Sequence, residues 1–295
     1  MNKKSLLITL ALLCSVCMAF SQSMLWKVSG KNMKSPSYLY GTIHIMDDRV
    51  FAFDSTVICA FDACEAFAAE VLLDEINAKG LRQAMMMPKG KVLTDLLSKE
   101  DFALLDSLCK AKLGASAIFM NGMKPFFVAS AIQQADLPQD QENALDIFLL
   151  KNAREKGKLC FGVEEYMDQI RAIDAISMKD QIEMLKSILH DTAAVAQEFE
   201  QMLDAYLGFN LDKMTEMLKD PELPKEFETV LINKRNITMA KQFDKIANEH
   251  TLFCAVGAGH LGGKKGVIAL LRKKGYTVEP VVFGWLPVKT SVAKP

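Results

Sequence analysis

The placement of strand-forming and helix-forming runs constrains this fold most: short β-rich runs sit near both ends of the chain, and a long stretch of helical periodicity separates them. Near the N-terminus, runs at 24–28 and 38–40 flank the turn residues Ser29, Gly30, Lys31 and Asn32, which reads as a hairpin. At the C-terminus, a run at 251–256, a Gly-rich turn, a helix over 264–274 capped by Gly275 and a run at 276–282 read as a βαβ unit. Two further strands are predicted at 66–73 and 158–161. Between them the pattern is helical. A helix is expected over 54–64, another from the capping pair Ser98 and Asp101 to about 112, another opening at Pro125, and one over 142–156 closed by Gly157. From 164 to about 248 the helical pattern breaks only at 208–210 and 221–224, and Met184, Leu185, Ile188 and Leu189 repeat at the spacing of a buried face. Strands so far apart can share a sheet only in one α/β (or α+β) domain, with a central sheet built from N- and C-terminal strands and a large helical middle region.

Charge and apolar runs then exclude classes of partner. The 295 residues carry 35 basic and 36 acidic side chains, a net charge of -1, so no basic excess is present to neutralise a nucleic-acid backbone. Lys3 and Lys4 precede an apolar run over 6–20, which reads as a secretory signal cut between Ala19 and Ser23. That run is short for a membrane span, which needs roughly 20 apolar residues. The expectation is a signal peptide over 1–22, a single domain over 23–295, no transmembrane helix once the signal is removed, and a periplasmic or extracellular location. An uncut N-terminal anchor is the alternative. Cys59, Cys64, Cys109, Cys160 and Cys254 remain after removal, an odd set without metal-type spacing that reads as small buried apolar residues. The 17 methionines read chiefly as core gap-fillers.

Only four histidines occur, and two of them end the same pattern, Gly41-Thr42-Ile43-His44 and Gly257-Ala258-Gly259-His260. Each pattern directly follows a predicted strand, and in open α/β sheets the ligand crevice lies outside the carboxyl ends of the strands. Other strand ends deliver Glu70 and the adjacent pair Glu164 and Glu165. Imidazoles and carboxylates converging there suit a divalent ion with a water to activate, and equally metal-free acid/base catalysis. His190, within a helix, and His250, at a helix end, read as surface residues.

Leu25-Trp26-Lys27-Val28, Tyr38-Leu39-Tyr40-Gly41-Thr42-Ile43-His44, Ala69-Glu70, Gly162-Val163-Glu164 and Arg235-Asn236 together form a pattern that resembles the TraB/GumN/Tiki group of proteins. It ends in Val256-Gly257-Ala258-Gly259-His260-Leu261-Gly262 with Gly266-Val267, Leu270-Leu271 and Gly275-Tyr276, so that it spans nearly all of the mature chain. The resemblance implies a fold similar to erythromycin esterases and ChaN-like proteins, and an exported metal-dependent hydrolase that acts as a peptidase on a peptide or protein substrate, with manganese or cobalt favoured and zinc admissible. Carried over by position, His44, His260, Glu70 and Glu164 are the metal-binding set, and Glu70, Glu164, Arg235 and Asn236 the catalytic set. One glutamate would be a ligand and the other a general base. Arg235 would stabilise the developing oxyanion, with help from Asn236. Glu165 departs from the family pattern, which commonly has Thr after the glutamate, so either adjacent carboxylate could serve the site.

Two other readings compete. One is an exported, non-enzymatic protein that holds a metal or haem with the same side chains. The other takes Gly257-Ala258-Gly259-His260-Leu261-Gly262 as a G-x-G-x-x-G dinucleotide fingerprint, with Glu279 downstream as its acid. The motif lies close to the chain end, where the further βαβ of a binding half has no room, and it leaves His44, Glu70 and Glu164 unexplained.

Overall fold

The computed structural model describes residues 22–30, 33–88, 90–219, 223–224 and 226–288. The expected signal segment up to residue 21 lies outside them, as do Lys31 and Asn32 of the expected turn. Among the described residues six strands, β1 (Leu25–Ser29), β2 (Ser37–Thr42), β3 (Ala66–Ala69), β4 (Leu159–Gly162), β5 (Leu252–Gly257) and β6 (Thr277–Val281), form one sheet in the order β4-β3-β5-β2-β1-β6. The hairpin is present as antiparallel β1 and β2, β6 pairs antiparallel with β1, and the other pairs are parallel. The C-terminal βαβ unit is therefore not a pair of neighbours. Both sides of β5 are taken by β3 and β2, so β6 passes over the hairpin and adds to its far edge.

The helices are α1 (Ser55–Asp62), α2 (Ala78–Met85), α3 (Leu93–Leu96), α4 (Lys99–Leu113), α5 (Pro125–Ala135), α6 (Leu145–Glu155), α7 (Tyr166–Asp174), α8 (Met178–His190), α9 (Thr192–Leu207), α10 (Leu211–Met217), α11 (Lys234–Ala247) and α12 (Val267–Lys273). Their starts follow local chemistry. Ser98 Oγ accepts from Asp101 N at the head of α4, and Pro125 opens α5. Gly114 ends α4 in the left-handed region at φ 67°, which a side chain resists. Glu228–Asn233 form a π-helical turn running straight into α11, a feature frequent at functional sites.

Two main cores result. Around the sheet, Tyr40, Phe61, Phe67 and Phe253 are fully buried and in mutual ring contact. The helical middle has its own core of Leu93, Leu105, Val128, Ile132 and Leu185. On α8 the buried face is Ile182, Leu185, Ile188 and Leu189, and Met184 lies only at its margin. All five cysteines are free; Cys64, Cys109 and Cys254 are buried as expected, whereas Cys160 is half-buried and Cys59 exposed. His190 is exposed beside Asp101 as expected, but His250 is half-buried, stacked on Phe161 and bonded to Glu65. Among the described residues no helix is long and apolar enough to cross a membrane.

Candidate active site

The two Gly-x-x-His motifs leave neighbouring parallel strands side by side, because β2 pairs with β5 in a register that sets Thr42 opposite Gly257. They also pack on each other. A Cβ on Gly41 would lie 2.8 Å from Leu261 Cδ1 and 3.1 Å from Ala258 Cβ, so the bare glycine lets one motif rest against the other. Glu70 follows β3 directly, which is why the strand expected over 66–73 stops at Ala69. Its Oε1 accepts from Gly257 N at 2.7 Å, and its Oε2 accepts from Arg235 Nη2 at 2.7 Å and Gln169 Nε2 at 3.0 Å.

His260 is buried, and its tautomer follows from its neighbours. Asn236 Nδ2 donates to Lys265 O at 2.9 Å, which turns Asn236 Oδ1 towards His260 Nδ1 at 2.6 Å. Nδ1 therefore carries the hydrogen and Nε2 presents a lone pair. That Nε2 faces Glu70 Oε1 at 3.8 Å. Burial, with the Arg235 charge adding, lowers the His260 pKa to about 4 against the opposing pull of Glu70, so the ring is neutral at pH 7.

Glu164 has a fully buried side chain, and both its oxygens accept from Arg235: Nε at 3.2 and 3.0 Å, Nη2 at 2.8 Å. Burial raises its pKa in spite of that partner. Burial would also raise Glu70, but the adjacent His260 and Arg235 and the Gly257 amide overturn this and hold it below the usual carboxylate range. Of the adjacent pair, Glu164 is the one that turns inward. Glu165 caps α7, where its N–H donates to Asp168 Oδ2 at 3.2 Å.

His44 stands apart, with 54% of its side chain exposed, and Asp146 holds its Nδ1 at 2.8 and 3.0 Å. That hydrogen bond raises the His44 pKa against the effect of burial.

The site expected from the sequence is thus brought together unevenly. Glu70, Glu164, Arg235, Asn236 and His260 form one connected network, and His44 lies at its open side. Asn236 serves His260 and not Arg235, because consecutive helical residues point about 100° apart. Asp146 and Gln169 were missed. Asp146 falls in the first turn of a helix, where an acid is ordinarily explained by the helix dipole, and Gln169 lies on α7 without a motif.

The dinucleotide reading fails on this geometry. The first glycine's amide is bonded to the Glu70 carboxylate, where a phosphate would have to sit. The last is covered by α10, so that a Cβ on Gly262 would lie 2.4 Å from Thr215 Oγ1 and 3.0 Å from Leu211 O.

The fold and the network define an α/β protein with a polar cluster at the carboxyl ends of its parallel strands. The chain belongs to the TraB/PrgY/gumN family, whose model matches residues 24–280. It is 24% identical to a "Metalloprotease TIKI homolog" of Nematostella vectensis, with 88% of this chain and 67% of that protein aligned. It is 22% identical to "Metalloprotease TIKI2" of Danio rerio, over 92% of this chain and 65% of the relative, and 22% identical to "Metalloprotease TIKI1" of Homo sapiens, over 87% and 61%. The chain therefore spans about two thirds of the length of these relatives. No solved structure matches it.

Proposed function

We propose that the chain is an exported metal-dependent peptidase. The observation that carries the metal is the pair His260 Nε2 and Glu70 Oε1: a buried imidazole acceptor and a half-buried carboxylate oxygen 3.8 Å apart, with the imidazole hydrogen spent on Asn236. A cation between them would relieve the repulsion of two neighbouring acceptors, and neutral imidazole with carboxylate suits a borderline divalent ion. No group of three His, Cys, Asp or Glu side chains converges among the described residues. The third donor in this reading is His44 Nε2, left available by the Asp146 contact at Nδ1. Manganese or cobalt is favoured, and zinc is admissible. Both histidines carry an Nδ1 partner of the kind that orients metal-ligating imidazoles.

When bound, the ion would polarise the peptide carbonyl and lower the pKa of its water. The protein's own groups do the rest. Glu164 fixes Arg235 by a two-point contact. Of the five guanidinium N–H groups, the contacts to Glu164, Glu70 and Leu231 O use four and leave one on Nη1 for a developing oxyanion. Gln169 and the Gly257 amide hold Glu70 in place.

The relatives' printed names support this reading, and turnover of a peptide library by the purified mature chain with added manganese or cobalt tests it. Cleavage that is lost with chelator and with Glu70→Gln is the expected result. Metal retention without cleavage would leave the non-enzymatic binding protein. A second reading, metal-free acid/base catalysis, rests on the His44–Asp146 contact, and cleavage that survives chelator would favour it.

A further inference from the structure

The two edges of the sheet are built differently. At one edge β6 contains Pro280, which removes a main-chain donor, a common guard against strand pairing. At the other edge β4 contains no proline, and Leu159 is about half exposed. Lys158 folds back onto Cys64 O, and the charges of Arg154, Asp74 and Glu75, which act on Cys160, are paired with one another. The register shows which groups are free. Leu159 N donates to Glu65 O and Val163 N to Ala69 O, so the odd-numbered residues face β3 and the N–H and C=O of Cys160 and Gly162 face outward. No described residue takes them up.

Along this edge lies a cavity of about 390 Å³, walled by Phe161 and Gly162 of β4, Glu165 at the head of α7, Gln242 and Lys245 of α11, and His250 beyond it. The strand runs from the cavity directly into Glu164, whose carboxylate holds Arg235 at 2.8 Å. An edge without proline whose outward main-chain groups have no partner among the described residues, a cavity beside it and direct continuity with the polar cluster belong together.

We infer that the β4 edge is the substrate-docking strand: an extended peptide adds to the sheet there as a seventh strand, held through its main chain by Cys160 and Gly162. The occupant's identity as substrate rests on the peptidase reading, whereas strand addition itself does not. Main-chain pairing is indifferent to side chains, so this subsite recognises an unfolded, extended segment and tolerates many sequences. The outward pair is two residues apart, so it engages alternate residues of the peptide.

The probe is a randomised decapeptide library passed over the immobilised mature chain carrying Glu70→Gln, so that binding is read without turnover. The tightest binder is then resynthesised with a single N-methyl group at each position in turn. Affinity should fall about tenfold or more at every second residue of one stretch and stay level between. In the protein, Cys160→Pro removes an outward N–H and no sheet hydrogen bond, and should weaken binding by a similar factor, while Cys160→Ala binds as the parent does. If Cys160→Pro fails to fold, the N-methyl scan decides alone. A scan without period two, a folded Cys160→Pro chain that binds normally, or no binder at all overturns the proposal. Cleavage by the otherwise unaltered Cys160→Pro chain with unchanged KM would sink strand addition and leave the peptidase standing. Period-two binding by a protein that cleaves nothing would do the reverse.

Discussion

Asn236 grips His260 from one side only, with Oδ1 at 2.6 Å from Nδ1 while its Nδ2 is spent on Lys265 O. The amide thus has no freedom to flip, and the imidazole presents Nε2 to Glu70 whatever the solvent does. Asn236→Ala should lower divalent-ion affinity by about 10- to 100-fold, the usual cost of losing such a partner. It should also cost about 1–3 kcal/mol of stability through the groups left unpaired. Calorimetric titration with manganese and urea unfolding separate the two effects. Unchanged affinity in a destabilised variant would show that the amide is a packing group.

Acid should destabilise the chain through His260 before Glu70 responds. The His260 pKa is lowered from 6.5 to about 4 by burial, so the unfolded state takes up the proton first. The His260 contribution is complete above pH 6.5 and falls as the pH drops towards 4, by on the order of 3 kcal/mol in all. The lowered Glu70 pKa contributes stability that is present above 4.5 and lost below it, as the His260 window closes. His44 acts with the opposite sign: its pKa is raised, so its contribution is full below 6.5 and disappears as the pH rises through the folded value. Urea unfolding at pH 7, 5.5 and 4.5 should show His260→Gln with a flatter acid limb than the parent. A parallel curve would mean that His260 is not titrating on unfolding.

Arg235 is held by more than one acid, and the consequence divides stability from catalysis. Arg235→Met leaves Glu164 buried without a partner and should cost about 3–5 kcal/mol. Adding Glu164→Leu should recover much of that, since an apolar pair of similar volume often replaces a buried ion pair without loss. Arg235→Lys keeps the charge but not the fork, so peptide turnover should fall by about 100- to 1,000-fold with manganese affinity nearly unchanged. Full turnover by Arg235→Lys would remove the arginine from the chemistry.

The placement of both histidine motifs was legible because each follows a run that could only be a strand, and strands at both chain ends had to share a sheet. Their pairing was not. His44 finds Asp146 at a separation of 102 residues, a distance over which no periodicity speaks. Grouping Arg235 with Asn236 as one polar pair followed their adjacency in the chain, whereas helix geometry sends one to Glu164 and the other to His260. The order of the sheet was hidden for a similar reason: β5, α12 and β6 look complete as a local unit, and only the burial of β1 and β2 between the two strands shows otherwise. The G-x-G-x-x-G match was misleading because glycine spacing records close packing without saying what packs there.

That last point can be tested directly. Gly262→Ala should destabilise the chain by about 1–3 kcal/mol through overpacking against Thr215 and Leu211. Neither the parent nor the variant should bind NAD at millimolar concentration by calorimetry. Saturable binding would restore the nucleotide reading of the turn.

The mature N-terminus should retain Ser23. Ser23 is buried, its Oγ donates to Val281 O at 2.6 Å and accepts from Leu25 N at 3.0 Å, and its carbonyl accepts from Trp26 Nε1 at 2.7 Å. These contacts tie the start of β1 to the end of β6, so they close the edge of the sheet opposite β4. A signal cut after Ala19 or Ser21 leaves all three in place, whereas a cut after Ser23 removes them and lets the β1 end fray. Each is an ordinary hydrogen bond worth about 1 kcal/mol, so a chain beginning at Met24 should be less stable than one beginning at Gln22 by about 1–3 kcal/mol, measurable by urea unfolding. Mass spectrometry of the exported protein should then report Phe20 or Gln22 as its first residue. A first residue at Met24 or beyond would show that the serine is dispensable, and an intact Met1 in the membrane fraction would replace export by anchoring.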